Sequence, residues 1–116
     1  MVKILLVGTC CVSSEALARL GVYTRSCSAE EYDTTTSPDL VLVSSITSCV
    51  LVRKTLKDTP VIFISPNNLL ASIAFKLGCL DHILITDIEK VTQKLLSYGK
   101  IAQIEKTLKK LLDKPL

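Results

Sequence analysis

Long apolar runs are absent from this 116-residue sequence. None approaches the ~20 residues that a membrane-spanning helix needs. The start, MVKILLVG, enters an apolar run with no cleavage-site pattern after it, so it does not resemble a signal peptide. We therefore expect a cytoplasmic protein whose length fits one domain core.

Paired cysteine spacings are also missing. The sequence contains no C-x-x-C and an odd number of cysteines, which argues against both a zinc signature and a disulfide framework. The five are Cys10, Cys11, Cys27, Cys49 and Cys79. We expect most of them to be small buried apolar side chains, and we expect no bound metal or other cofactor.

Glycine-rich phosphate loops and a general basic excess are lacking too. The segment Gly8–Ser14 follows a predicted strand but has a single glycine, so it is neither G-x-G-x-x-G nor a P-loop. Residues 86–116 hold seven lysines against four carboxylates, which accounts for the whole net charge of +3. A solvated helix face explains this excess better than a nucleic-acid site does.

What the sequence does contain is a series of short apolar, β-branched runs with helical patterns between them. Such runs are typical of strands buried on both faces of a parallel sheet. Strand–helix alternation then predicts an α/β fold: a flavodoxin-like, doubly wound, five-stranded parallel sheet in the order 2-1-3-4-5. The predicted buried strands are Val2–Val7, Leu40–Val43, Val61–Ile64 and Ile83–Ile85, and the weaker run Val22–Cys27, which alternates with polar residues, is predicted to be an edge strand.

In such a sheet, ligands bind beyond the carboxyl ends of the strands. Here that edge is predicted to carry hydroxyls, amides and thiols, with Asp87 as its one carboxylate. A lone carboxylate is a poor magnesium site. Ser44 or Ser45 would need a nearby base to act as a nucleophile, and the one histidine, His82, lies in or beside strand five. We therefore predict no catalytic residues.

A C-terminal helix is predicted beyond a break at Tyr98–Gly99. This break divides the chain into a domain at residues 1–97 and an amphipathic extension at residues 98–116. Its apolar stripe consists of Ile101, Ile104, Leu108 and Leu111, and Lys106, Lys109 and Lys110 are expected to keep the other side in water. Because an isolated short helix is marginal in water, it must dock: on a second copy, on a partner, or back on its own domain.

The landmarks resemble those of bacterial response-regulator receiver domains over nearly the whole chain up to Leu96. The similar segments are VKILLVG, GVYTRSCSAEE, SPDLVLVS, TPVIFIS and AFKLGCLDHILITDIEKV, in that order. By this resemblance, the acidic pair falls on Gly8 and Thr9, the phosphoacceptor on Ser44 and the lysine on Ile85. The switch hydroxyl is retained as Ser65, and the switch aromatic position is occupied by His82.

The resemblance thus implies a degenerate pseudo-receiver, without the phosphoacceptor aspartate, that acts in two-component signalling through protein binding alone. We expect a non-enzymatic interaction module, with a protein partner or a homodimer as its assembly. Two alternatives stay open. One is a domain like the phosphotransferase-system B subunits, which carry a reactive cysteine after strand one. The other is a thiol sensor built from Cys10, Cys11 and Cys27.

Overall fold

The computed structural model describes residues 2–8, 18–19, 21–27, 37–87 and 92–113. The predictions made for Thr9, Cys10 and Cys11 lie outside these ranges, and the side chains of Cys27 and Asp87 are not described.

Five strands form one sheet, and every pairing in it is parallel. The order is β2-β1-β3-β4-β5, as the sequence predicts for a flavodoxin-like, doubly wound fold. The strands are β1 (Val2–Val7), β2 (Val22–Cys27), β3 (Leu40–Val43), β4 (Val61–Ser65) and β5 (Asp81–Leu84). The prediction for the fifth strand was wrong by two residues at its start and one at its end. Asp81 and His82 pair with β4 through their backbones, which requires no apolar side chain, and Ile85 already begins a 3-10 turn.

Three α-helices are described: α1 (Ile46–Thr55), α2 (Ala71–Lys76) and α3 (Thr92–Leu112). A 3-10 turn at Asn68–Leu70 precedes α2, and Gly78 follows it with φ of +88°, the left-handed conformation expected of a glycine that ends a helix. None of the helices described is both long and apolar enough to cross a membrane.

The predicted break at Tyr98–Gly99 is wrong. The C-terminal helical extension is present, but α3 runs through these residues as one helix of 21 residues. Gly99 is buried against β1, and a Cβ at this position would overlap the Cγ1 atom of Val2. The glycine therefore allows close packing of helix on strand instead of ending the helix.

Two apolar layers form the core, one on each face of the sheet. Alternation along β1 sends Ile4 and Leu6 to one layer and Leu5 and Val7 to the other. The first layer is covered by α3 through Leu95. The second is covered by α1 and α2 through three buried residues: Cys49, Val52 and Ala74. Helices on both faces explain why the strands are continuous apolar runs.

Candidate functional site

The carboxyl edge of the sheet brings together the positions that the resemblance singles out. Gly8, which ends β1, has φ of +82°, and a Cβ added to it would lie 3.1 Å from Ser48 Oγ and 3.9 Å from Ser44 Oγ. Ser44 follows β3, and Ile85, half-buried, follows β5 and packs against the core layer under α3. The described part of this edge therefore places the hydroxyls of Ser44 and Ser48 close to Gly8.

The hydroxyls beside Gly8 have a structural role. Ser45 caps α1, since its Oγ accepts from the Ser48 amide at 3.1 Å and donates to Ser48 Oγ at 2.9 Å. Such a cap satisfies an amide that the first turn of a helix otherwise leaves without a partner. A nucleophilic Ser45 is not supported by this arrangement, because the group that accepts its proton is another serine and not a base.

Ser65 and His82 are brought into direct contact. Ser65 Oγ, almost fully buried at the end of β4, lies 2.6 Å from His82 Nε2 and 2.6 Å from the carbonyl oxygen of Asn67. A serine has one hydroxyl proton, so when it is donated to Asn67 the Nε2–H of His82 donates to Ser65. The imidazole ring also stacks on Phe63, with centroids 6.0 Å apart. The two residues predicted to be switch-like are thus one hydrogen-bonded pair.

The opposite, amino edge of the sheet holds two charged clusters that the sequence did not reveal. Asp39, buried just before β3, accepts from the Lys3 amide and from Gln103 Nε2, both at 2.9 Å, and pairs with Lys106 at 3.2 Å. Burial acts to raise the pKa of Asp39, but these hydrogen bonds and the lysine charge outweigh it, so the pKa is lowered. The expectation of a fully solvated Lys106 was therefore wrong.

Asp81, the first residue of β5, is held in the same way by α3. Its Oδ2 accepts from the Tyr98 hydroxyl at 2.7 Å and lies 3.0 Å from Lys94 Nζ, while its Oδ1 accepts from the His82 amide. Burial opposes ionisation here too, yet the hydrogen bonds lower the pKa of Asp81. Both carboxylates thus fasten α3 to the sheet, and both stand at the edge opposite Ser44 and Ser65.

The predicted assembly stripe lies on the outer face of α3. Ile101, Ile104, Leu108 and Leu111 are between 53% and 59% exposed. The inner face packs against β1 through Gly99 and Ala102, which are buried. The helix therefore does fold back on its own domain, but it does so with the face opposite the stripe.

Within the described ranges, no three His, Cys, Asp or Glu side chains are grouped so that they could hold a metal ion. Cys49 and Cys79, in contrast, lie side by side with their sulfurs 3.3 Å apart. Their separation of 30 residues gives no motif that sequence reasoning could detect. The alternatives that rest on Cys10, Cys11 and Cys27 concern side chains outside the described part and stay predictions.

No family model matches the chain, and no curated protein is similar to it in sequence. Solved structures are similar in fold. NtrX from Brucella abortus matches with a TM-score of 0.72 and 18% identity over 96% of this chain, which spans 30% of NtrX. TrrA from Thermotoga maritima, solved with Mg²⁺-BeF, matches with a TM-score of 0.64 and 17% identity over 84% of this chain and 99% of TrrA. The receiver domain of HemR from Leptospira biflexa matches with a TM-score of 0.57 and 18% identity over 79% of this chain and 94% of the HemR domain. The chain has the fold of response-regulator receiver domains.

Proposed function

We propose that this chain is a receiver-like signalling module that works through protein binding and without phosphorylation. The observation that carries the proposal is the carboxyl edge itself. At the positions where the resemblance puts carboxylates and a lysine, the sequence has Gly8, Thr9, Ser44 and Ile85. Magnesium prefers carboxylate oxygens, and none of these four side chains is a carboxylate.

The packing around Gly8 supports the same proposal. With Ser48 Oγ so close to the position that a Cβ would take, the first turn of α1 occupies space next to the end of β1. The hydroxyl of Ser65, the last residue of β4, contacts the ring of His82, the second residue of β5. These contacts support an edge whose residues serve packing and helix capping in place of phosphotransfer.

The test is addition of magnesium and beryllofluoride, a phosphoryl mimic, followed by amide NMR. We expect an unchanged spectrum, whereas a receiver with an intact aspartate, used as the positive control, should show localised shifts. Shifts centred on Ser44 and Ser65 would refute the proposal, because they would mean that the mimic binds at this edge.

We further propose that the bound protein is a second copy of the chain, docked along the outer face of α3. Ile101, Ile104, Leu108 and Leu111 follow the three–four spacing of positions a and d in a two-stranded coiled coil. An exposed apolar stripe of this kind on an otherwise charged helix is typical of an interaction surface.

The charges beside the stripe favour a parallel pair. With Ile101 at position a, Lys100 takes position g and Glu105 position e, and both are exposed. In a parallel dimer, position g of one helix faces position e of the next heptad in the other helix. Lys100 of each copy therefore faces Glu105 of the other copy, which gives two symmetric pairs. The stripe therefore has apolar and charge complementarity to itself.

Dimerisation is tested by Leu108→Gln, with Lys110→Gln as a matched change elsewhere on the same exposed turn. We expect light scattering to give a dimer mass for the wild type and for Lys110→Gln, and a monomer mass for Leu108→Gln. Lys100→Glu and Glu105→Lys should each weaken the dimer and restore it when combined. Equal masses for the two glutamine variants would exclude this face, and no rescue by the double exchange would exclude the parallel pairing.

A further inference from the structure

The cysteine pair lies in the core layer beneath α1 and α2. Cys49 is fully buried on α1, and Cys79, 6% exposed, follows the turn at Gly78 and precedes β5. Their Sγ atoms are 3.3 Å apart, so only a small approach separates this contact from a bond, which is ~2.05 Å long. The amide of Cys79 donates to the carbonyl of Ala74 at 3.1 Å, which holds the turn, and with it the sulfur, in place.

A guanidinium lies next to the pair. Arg53 is one helical turn beyond Cys49, and its Nη1 donates to the carbonyl of Thr59. Its Nη2 lies 3.2 Å from the position that a Cβ on Gly78 would take, directly before Cys79. A cation at this place favours the thiolate form of Cys79.

We propose that Cys49 and Cys79 form a redox modification site, which closes to an intramolecular disulfide when hydrogen peroxide is the oxidant. The Cys79 thiolate attacks a peroxide oxygen and the O–O bond breaks, which leaves a sulfenic acid on Cys79 and releases water once the leaving hydroxide is protonated. The Cys49 sulfur then attacks the Cys79 sulfur, the S–O bond breaks, and a second water leaves. In sum, two thiols and one peroxide give one disulfide and two waters.

The new bond would tie α1 to the turn between α2 and β5. At present these elements meet through side-chain packing in the core layer that contains both sulfurs. A covalent link across a 30-residue segment removes relative motion between them. This site is independent of the proposed dimer, which uses the opposite side of the sheet.

Oxidation should be slow at neutral pH and faster in base. Burial, and then the hydrogen bond with Cys49, raise the pKa of Cys79 to about 12, against a lowering by Arg53. Because only the thiolate attacks, the rate should rise about tenfold per pH unit while the pH stays well below this value.

Peptide mapping of the full chain tests the proposal without any mutation. Cleavage before aspartate releases residues 39–57, with Cys49 as the one cysteine, and residues 58–80, with Cys79 as the one cysteine. The other three cysteines stay together in residues 1–32. After peroxide treatment and alkylation without reductant, we expect residues 39–57 linked to residues 58–80, and their release by dithiothreitol.

Two other results would overturn the proposal. One is recovery of both peptides unlinked and alkylated, and the other is their linkage to residues 1–32. As a control, Cys49→Ser removes the second step, so a diketone probe for sulfenic acid should label residues 58–80 in that variant. Cys79→Ser should leave residues 39–57 unlabelled. The reverse labelling pattern would refute the assignment of Cys79 as the first sulfur oxidised.

Discussion

The hydroxyl group of Ser65 makes two contacts at the carboxyl edge of the sheet. Its Oγ lies at hydrogen-bonding distance from both His82 Nε2 and the Asn67 carbonyl, and it is almost completely shielded from water. Groups placed in this way cannot exchange a lost partner for solvent without local rearrangement. The pair is therefore a rigid contact between β4 and β5.

We predict that Ser65→Ala lowers the free energy of unfolding by about 0.5–1.5 kcal/mol, the net contribution of one hydrogen bond, since the half-buried His82 loses its partner. Ser72→Ala, a change at an exposed position, is the control and should alter the free energy of unfolding by less than ~0.5 kcal/mol. Urea unfolding measures both. His82→Phe should cost less in the Ser65→Ala background than in the wild type, and equal costs in the two backgrounds would show that the hydrogen bond contributes nothing.

For individual residues, the sequence predicted which side chains are involved better than it predicted the contacts between them. Ser65 and His82 were both singled out, because the resemblance aligns them with switch positions, but their pairing depends on the register of β4 with β5. Lys106 was assigned to a helix face in contact with water, whereas Asp39 lies directly before β3. Their ion pair joins residues 67 apart, and no local pattern encodes such a contact.

The helix α3 is the element whose prediction most needed correction. Tyr98-Gly99 was interpreted as a break because glycine is a poor helix former. In the structure, Gly99 instead lets the helix backbone approach Val2, where any side chain would collide. The inner strands β1, β3 and β4, in contrast, were predicted to within one residue, since burial on both faces leaves a continuous apolar run.

We predict that Gly99→Ala destabilises the protein by about 1–3 kcal/mol, the usual cost of overpacking, although alanine favours helices by ~1 kcal/mol. Because Val2 is β-branched, it has few favourable χ1 rotamers with which to move Cγ1 away from the new methyl. Thermal and urea unfolding provide the measurement. Val2→Ala should recover part of the loss in the double variant, and Ser97→Ala, on the exposed side of the same helix, serves as the control. A stabilised Gly99→Ala would contradict the close approach.

For the molecule as a whole, α3 is fastened at two points on the amino edge of the sheet. Gln103 and Lys106 hold Asp39, and Tyr98 and Lys94 hold Asp81. Both carboxylates have a lowered pKa, so each binds a proton more weakly in the folded than in the unfolded chain. Their contribution to stability is therefore present above the unfolded-state pKa of ~3.9 and is lost as the pH falls through the folded values.

We predict that the wild type loses stability steeply as the pH falls below about 4, and that Asp39→Asn combined with Asp81→Asn flattens this dependence. Above pH 5 the double variant should be the less stable protein, and the difference should shrink with acidification. Urea unfolding at a series of pH values gives the curves. If the two curves run parallel, the carboxylates do not drive acid unfolding.

The contact between Gly99 and Val2 also imposes an order of events during synthesis. Strand β1 is made before the helix that covers one of its faces, and Gly99 of that helix follows Val2 by almost a hundred residues. At the ~5–20 residues per second of translation, that face stays open to water for several seconds. An apolar strand in this state is a ready binding site for chaperones, and the nascent chain reaches its final packing only when α3 has left the ribosome.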